Sequence, residues 1–124
     1  MLNVGLVGFG FAGKVFHAPV IRAVEGLRLA AIVQRRGPPD PLYADVAFVR
    51  SVDELLKRPI DLVVVATPNT SHHSIAKQSL DAGRHVVVDK PFTTTMGEAE
   101  DLVETAARRR RIVTVYQDRR YTGD

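Results

Sequence analysis

The chain has 124 residues, with 17 basic against 14 acidic side chains, a net charge of +3 and an apolar fraction of 45%. Those figures fit one globular domain able to bury a core, and the charge is too mild to argue for a nucleic-acid partner. With no cysteine, disulfides and thiolate metal sites are excluded; with no charged leader ahead of an apolar stretch and no bilayer-length apolar run, a soluble cytoplasmic protein without a membrane role is expected.

Leu2–Val7 is apolar and β-rich and reads as a strand. Gly8-Phe9-Gly10-Phe11-Ala12-Gly13 follows it, and Phe11–Val24 reads as a helix that Pro19 must break, kink or restart. A G-x-G-x-x-G between a strand and a helix is the context of a dinucleotide fingerprint. Gly8 makes the tight turn, Gly10 lets a pyrophosphate approach the backbone, and Gly13 lets helix and strand pack closely. The positive end of the helix and its N–H groups attract phosphate.

Leu27–Val33 is a second strand, Arg36–Asp45 a loop rich in glycine and proline, and Val46–Val49 a short third strand. Ser51 is placed to cap a helix over Val52–Lys57, with Glu54 completing a capping box. Ile60–Ala66 is nearly continuous and β-branched, as in a strand buried on both faces. Ser71–Ala82 reads as a helix ended by Gly83, and His85–Val88 as another buried strand. Thr95–Arg110 is a helix with an acidic first half and a basic last turn, and Ile112–Tyr116 a sixth strand. The alternation implies a doubly wound parallel α/β sheet, a Rossmann fold of strand order 3-2-1-4-5-6.

Ligands of such sheets bind beyond the carboxyl ends of the strands. Besides the glycine turn, three segments of this chain meet there. Gln34-Arg35-Arg36 ends strand two where an acid would select NAD; the arginines instead favour the 2′-phosphate of NADP, or are solvated surface charges. In Thr67-Pro68-Asn69-Thr70-Ser71-His72, Thr67 and Asn69 offer polar edges to a cofactor, while the same residues also make a turn and a helix cap at Ser71. His72 and His73 are a poor metal pair, because adjacent helical residues do not face the same way, and no metal is expected. In Asp89-Lys90-Pro91, the Lys90 ammonium can hydrogen-bond a substrate hydroxyl and stabilise an alkoxide as hydride leaves; the plainer alternative pairs Lys90 with Asp89. Gln117 follows strand six at the same edge. Arg108–Arg111 reads as a solvated helix end.

Several motifs in this order resemble the Gfo/Idh/MocA oxidoreductases. They are Val4-Gly5-Leu6-Val7-Gly8-Phe9-Gly10, Phe16-His17-Ala18-Pro19, Asp61 to Ala66, Thr67-Pro68-Asn69 with His72, Ala82-Gly83-Arg84-His85-Val86, and Asp89-Lys90-Pro91. The wording of the second and last is nearest the scyllo-inositol dehydrogenase-like branch. The resemblance implies that Lys90 is catalytic, that Pro91 shapes the nicotinamide site, and that Thr67, Pro68 and Asn69 line the cofactor, NADP in preference to NAD. Asp89 stands where glutamate is commoner. It also implies a sugar, polyol or inositol-like substrate. Family members carry a second α/β domain that supplies further catalytic groups, substrate specificity and the subunit interface. Residues 1–124 would then be the NAD(P)-binding domain alone, inactive by itself and prone to self-association into homo-oligomers. Two other readings stand beside this one: a redox-sensing nucleotide-binding module, which has no need of Lys90, and a methyltransferase, which explains neither Asp89-Lys90-Pro91 nor the paired arginines.

Overall fold

The computed structural model describes residues 1–10, 13–67, 69–89, 93 and 95–116. Its six strands are β1 (Leu2–Val7), β2 (Leu27–Val33), β3 (Ala47–Val49), β4 (Leu62–Val65), β5 (His85–Asp89) and β6 (Val113–Tyr116). They form one parallel sheet in the order β3-β2-β1-β4-β5-β6, the expected doubly wound arrangement. Four α-helices accompany them: α1 (Ala18–Ala23), α2 (Val52–Leu56), α3 (His72–Asp81) and α4 (Met96–Arg109). None of the described helices is long and apolar enough to cross a membrane.

Register follows from the side chains. Val49, Val33, Val7, Val65, Val88 and Val115 lie side by side across all six strands. β1 and β2 reach this alignment through a one-residue irregularity, where Val4 pairs with Leu29 but Gly5 with Ala31. Alternation along each strand then feeds two cores. Val7, Val33, Val63, Val65, Val86 and Val88 pack under Leu55 of α2, Ala76 and Leu80 of α3, and Leu102 and Ala106 of α4. Val4, Leu6, Leu29, Ile32 and Val64 pack under Ala18 and Ile21 of α1, joined by Tyr43 and Val46.

The structure departs from the sequence reading at several boundaries. The first helical stretch is interrupted where Pro19 is expected to break, kink or restart it, but the interruption takes a form that expectation does not specify: Gly13–His17 form a wide π-type turn and α1 starts at Ala18. Pro19 has no N–H to give a regular turn and its ring crowds the preceding carbonyl, so the chain widens just before it. The loop after β2 contains a short 3-10 turn, Pro41–Tyr43, capped by Asp40, which accepts from the Leu42 N–H at 2.9 Å. Tyr43 is buried and meets Phe9 edge-on at 5.5 Å, while Arg22 of α1 lies 4.8 Å over the Tyr43 ring and reaches Asp45 at 2.8 Å. These contacts stand where a crossover helix would otherwise cover β3.

Ser51 caps α2 by accepting from the Glu54 N–H at 3.1 Å. Glu54 reaches back one residue further than a capping box requires, accepting from the Arg50 N–H at 2.7 Å. β4 is shorter than Ile60–Ala66, because Ile60 belongs to a turn closed on Arg58. Ser71 does not cap α3: the helix is entered from a 3-10 turn, Asn69–Ser71, with Ser71 at φ −102°, ψ −2° instead of the extended conformation a cap needs. Thr95 caps α4, and Arg110, left-handed at φ 56°, ends it.

One close approach inside the sheet is testable. A Cβ at Gly5 would lie 2.8 Å from Cδ1 of Leu55, which is fully buried. Gly5→Ala is expected to destabilise by about 1–3 kcal/mol through overpacking, and Leu55→Ala by about 2–5 kcal/mol through the cavity it leaves. Urea melts of the two single variants and the double variant should show the double to be less destabilised than their sum, since the added methyl fills vacated space. Strict additivity would place the two residues out of contact.

Asp101 of α4 ties that helix to α3. It lies 2.7 Å from His73 Nε2 and accepts from Lys77 Nζ at 3.1 Å, with Lys77 also donating to Thr105 at 3.3 Å. The His73 hydrogen bond first, then that of Lys77, hold the Asp101 carboxyl below the ordinary carboxylate range. A depressed acid stabilises the fold above its unfolded pKa of about 4 and loses that contribution as pH falls through the lower folded value. Asp101→Asn should therefore melt earlier than the parent at pH 6, and the difference should fade as the pH is taken down toward 2. A gap in melting temperature that stays constant with pH would show that Asp101 acts by packing alone.

Candidate functional site

The aligned valines bring the residues that follow them to one edge. Gly8 N–H donates to Val33 O at 3.3 Å, Gln34 N–H to Val49 O at 2.9 Å, and Ala66 N–H to Val7 O at 2.8 Å. Gly8, Gln34, Arg50 and Ala66 thus end their strands at one level. Above them opens a cleft of about 870 Å³. Its walls are Val7 to Gly10 after β1, Val33 to Arg35 after β2, Arg50 to Asp53 at the start of α2, Thr67, Thr70 and Ser71 after β4, and Ser74, Ile75 and Gln78 of α3.

Each glycine of the fingerprint does separate work. Gly8 has φ +101°, and a Cβ there would sit 2.8 Å from the Ala66 carbonyl oxygen. A Cβ at Gly13 would run into the Gly8 carbonyl oxygen, so the turn folds tightly on itself only with glycine at both positions. A Cβ at Gly10 meets nothing within 4 Å. Gly10 is therefore not required by packing, and its bare backbone faces open space at the cleft wall. That is the cradle a pyrophosphate needs, and the residues present fit a dinucleotide.

The flanks of this turn are fixed by aromatic contacts. Phe9 meets Tyr43 at 5.5 Å and Phe48 at 5.7 Å, both edge-on, and Lys14 lies 5.8 Å over its ring. Lys14 also pairs with Asp40 at 3.5 Å, which ties the glycine turn to the loop after β2.

The structure gathers many of the residues expected from sequence. Gly8, Phe9, Gly10, Gln34, Arg35 and Thr67 line the cleft, and Gly13 supports it from behind. Arg36 is exposed and does not line it; its carbonyl accepts from Gln34 Nε2 at 2.7 Å. His72 is fully buried, with Nε2 2.7 Å from the Thr67 carbonyl oxygen, so it braces the loop from below and does not form its wall. His73 turns away to Asp101. Ser71 donates its hydroxyl to Thr67 Oγ1 at 2.8 Å, and Asn69 opens the short turn between them. Asp89 ends β5, half-buried, 3.5 Å from Nε2 of the buried His17. Phe11, Ala12, Pro68, Lys90, Pro91 and Gln117 lie outside the described residues.

Among the residues that escaped the sequence reading are Arg50, Ser51, Ser74 and Gln78 in the wall, and His17 against Asp89. Arg50 had a signal, since it directly follows the last valine of a strand. His17 had one too, as a polar residue between Phe16 and Ala18. Ser74 and Gln78 are ordinary helix-surface residues until α3 is laid against the sheet. Gln78 Nε2 donates to Asp53 at 2.6 Å across the back of the cleft.

Comparison with known proteins agrees with this geometry. The family model described as "Oxidoreductase family, NAD-binding Rossmann fold" matches residues 2–117. The chain is 42% identical over 127 residues to the uncharacterized oxidoreductase YdgJ of Escherichia coli (strain K12), covering 99% of this chain and 36% of that protein. It is 32% identical over 125 residues to scyllo-inositol 2-dehydrogenase (NADP(+)) IolW of Bacillus subtilis (strain 168), covering 99% and 35%. The crystal structure of a putative oxidoreductase from Bacteroides fragilis NCTC 9343 superposes with a TM-score of 0.92 at 41% identity, covering 97% of this chain and 38% of that one. The chain spans little more than a third of the length of these curated relatives. A fingerprint turn of this geometry, on this strand order, matched from residue 2 to residue 117, places the chain in the Gfo/Idh/MocA oxidoreductase family, in its NAD-binding Rossmann fold.

Proposed function

We propose that residues 1–124 are the cofactor-binding domain of an NAD(P)-dependent oxidoreductase that transfers hydride between a nicotinamide cofactor and a hydroxyl carbon of a sugar, polyol or inositol-like substrate. The observation that carries this reading is the glycine cradle, where two positions exclude any side chain and the third, Gly10, leaves its backbone bare toward the cleft. The name of the relative IolW, a scyllo-inositol dehydrogenase that uses NADP(+), supports the substrate class and the cofactor.

When bound, the nicotinamide supplies the hydride acceptor or donor. The chain's own residues hold and orient it. Backbone at Gly8 and Gly10 receives the pyrophosphate, Thr67, Pro68 and Asn69 line the dinucleotide, and Arg35 favours a 2′-phosphate at the adenosine end. Lys90 directly follows Asp89 at the carboxyl end of β5. Its ammonium would donate to the substrate oxygen and stabilise the alkoxide left when the hydroxyl proton is lost to solvent, as hydride leaves the carbon for the nicotinamide. His17, 3.5 Å from Asp89, braces the end of β5.

NADPH should bind at least about tenfold more tightly than NADH, because each charge-assisted contact to a phosphate contributes roughly 1.5–3 kcal/mol. Fluorescence titration of both cofactors measures this, and equal affinities or tighter NADH would overturn the NADP preference. In the same titrations Gly10→Val should keep a parental circular-dichroism spectrum yet bind neither cofactor, since its side chain occupies the pyrophosphate's place. Normal binding by the folded variant would reduce Gly10 to a turn residue.

The 124-residue chain should bind cofactor without oxidising inositols or aldoses. Positioned acid–base groups alone supply about 10²–10⁴-fold of rate, and an open cleft does not exclude water. A spectrophotometric assay with NAD, NADP and a panel of such substrates checks this. Turnover that disappears in Lys90→Ala would show that the chain is a complete catalyst.

A further inference from the structure

We propose that Arg50, at the end of β3, is a specificity-determining residue: with Arg35 it forms a two-cation clasp for the 2′-phosphate of an NADP-type cofactor. The inference rests on the cofactor reading above and deepens it. β2 and β3 are paired at Val33 and Val49, so the residues that follow, Gln34 and Arg50, emerge together, with Gln34 N–H bonded to Val49 O at 2.9 Å. Arg50 Nη1 donates to the Gln34 carbonyl at 3.0 Å, which holds the guanidinium against the end of β2. Arg35 and Arg50 both line the cleft, whereas Arg36 does not.

The Arg50 guanidinium is open to a further acceptor. Among the described residues no carboxylate forms an ion pair with its guanidinium. The two nearby acids are otherwise engaged. Glu54 accepts from the Arg50 backbone N–H at 2.7 Å, and Asp53 accepts from Gln78 at 2.6 Å. Ser51, in the same wall, accepts from the Glu54 N–H and retains its own hydroxyl proton to donate. A guanidinium carries five N–H donors in a fork matched to phosphate, so one bond to Gln34 leaves donors for a second acceptor. A neutral ribose hydroxyl has no use for two cations; a phosphate does.

The test is the ratio of NADPH to NADH affinity, read by fluorescence titration of the 124-residue chain, its Arg50→Ala and its Arg50→Lys forms, with competition by 2′-AMP and 5′-AMP. Arg50→Ala should lower the ratio about tenfold, the loss of one charge-assisted contact, and should abolish the advantage of 2′-AMP over 5′-AMP as competitor. Arg50→Lys should recover part of the ratio, keeping charge but not the fork. A melting curve on each sample checks folding. If both affinities fall in parallel, Arg50 only supports the end of β2 and the proposal fails. If the ratio does not move while the parent binds both cofactors, the proposal fails and the cofactor reading stands. If the parent binds neither cofactor, both fall together.

Discussion

The in-register row of valines at the carboxyl ends of the strands is the constraint on which the rest depends. Val49, Val33, Val7, Val65, Val88 and Val115 each fill the same level of the sheet, so the strands end together. A slip of one residue in any strand would reverse its faces and send its buried set toward the wrong core. Because the row is held, Gly8, Gln34, Arg50, Ala66 and Asp89 are delivered to a common lip. The cleft is therefore a by-product of core packing: β-branched side chains set the register, and register gathers the residues at its lip.

The same physics explains what could be read from the sequence. Long apolar runs such as Leu2–Val7 and Leu27–Val33 are strand signals strong enough to survive without tertiary context, and both strands occur with those bounds. Gly83, at φ +86°, ends its helix as glycine does. The strand order also followed, since alternating strands and helices with a glycine turn on the first unit leave few topologies. The tight turn at Gly8 and the close packing at Gly13 were legible from the spacing of the fingerprint.

What stayed illegible depends on partners distant in sequence. Tyr43 reads as a loop residue until Phe9 and Arg22 are brought against it. Glu54 has the spacing of a capping box, but the bend at Arg50 offers it a different N–H. Ser71 has the identity of a helix cap and lacks the backbone conformation, because the chain enters α3 from a tighter turn. His72 belongs to the segment expected at the cofactor edge, yet its ring is turned inward to the Thr67 carbonyl. Arg50 follows a strand valine in the sequence, but its place beside Gln34 was set only when β3 was laid against β2. In each case the identity of the residue limits its options and tertiary contacts choose among them.

β3 is only three residues long and stands at one edge of the sheet. An edge strand presents unpaired backbone groups that another chain can extend, and long flat edges recruit such partners into aggregates. This edge offers very little ladder to copy. On the face opposite α2 the connection from β2 to β3 is not an α-helix: the Pro41–Tyr43 turn, pinned by Phe9 and Arg22, closes over the neighbouring core instead. The brevity of β3 thus acts as protection against strand-to-strand polymerisation at this edge.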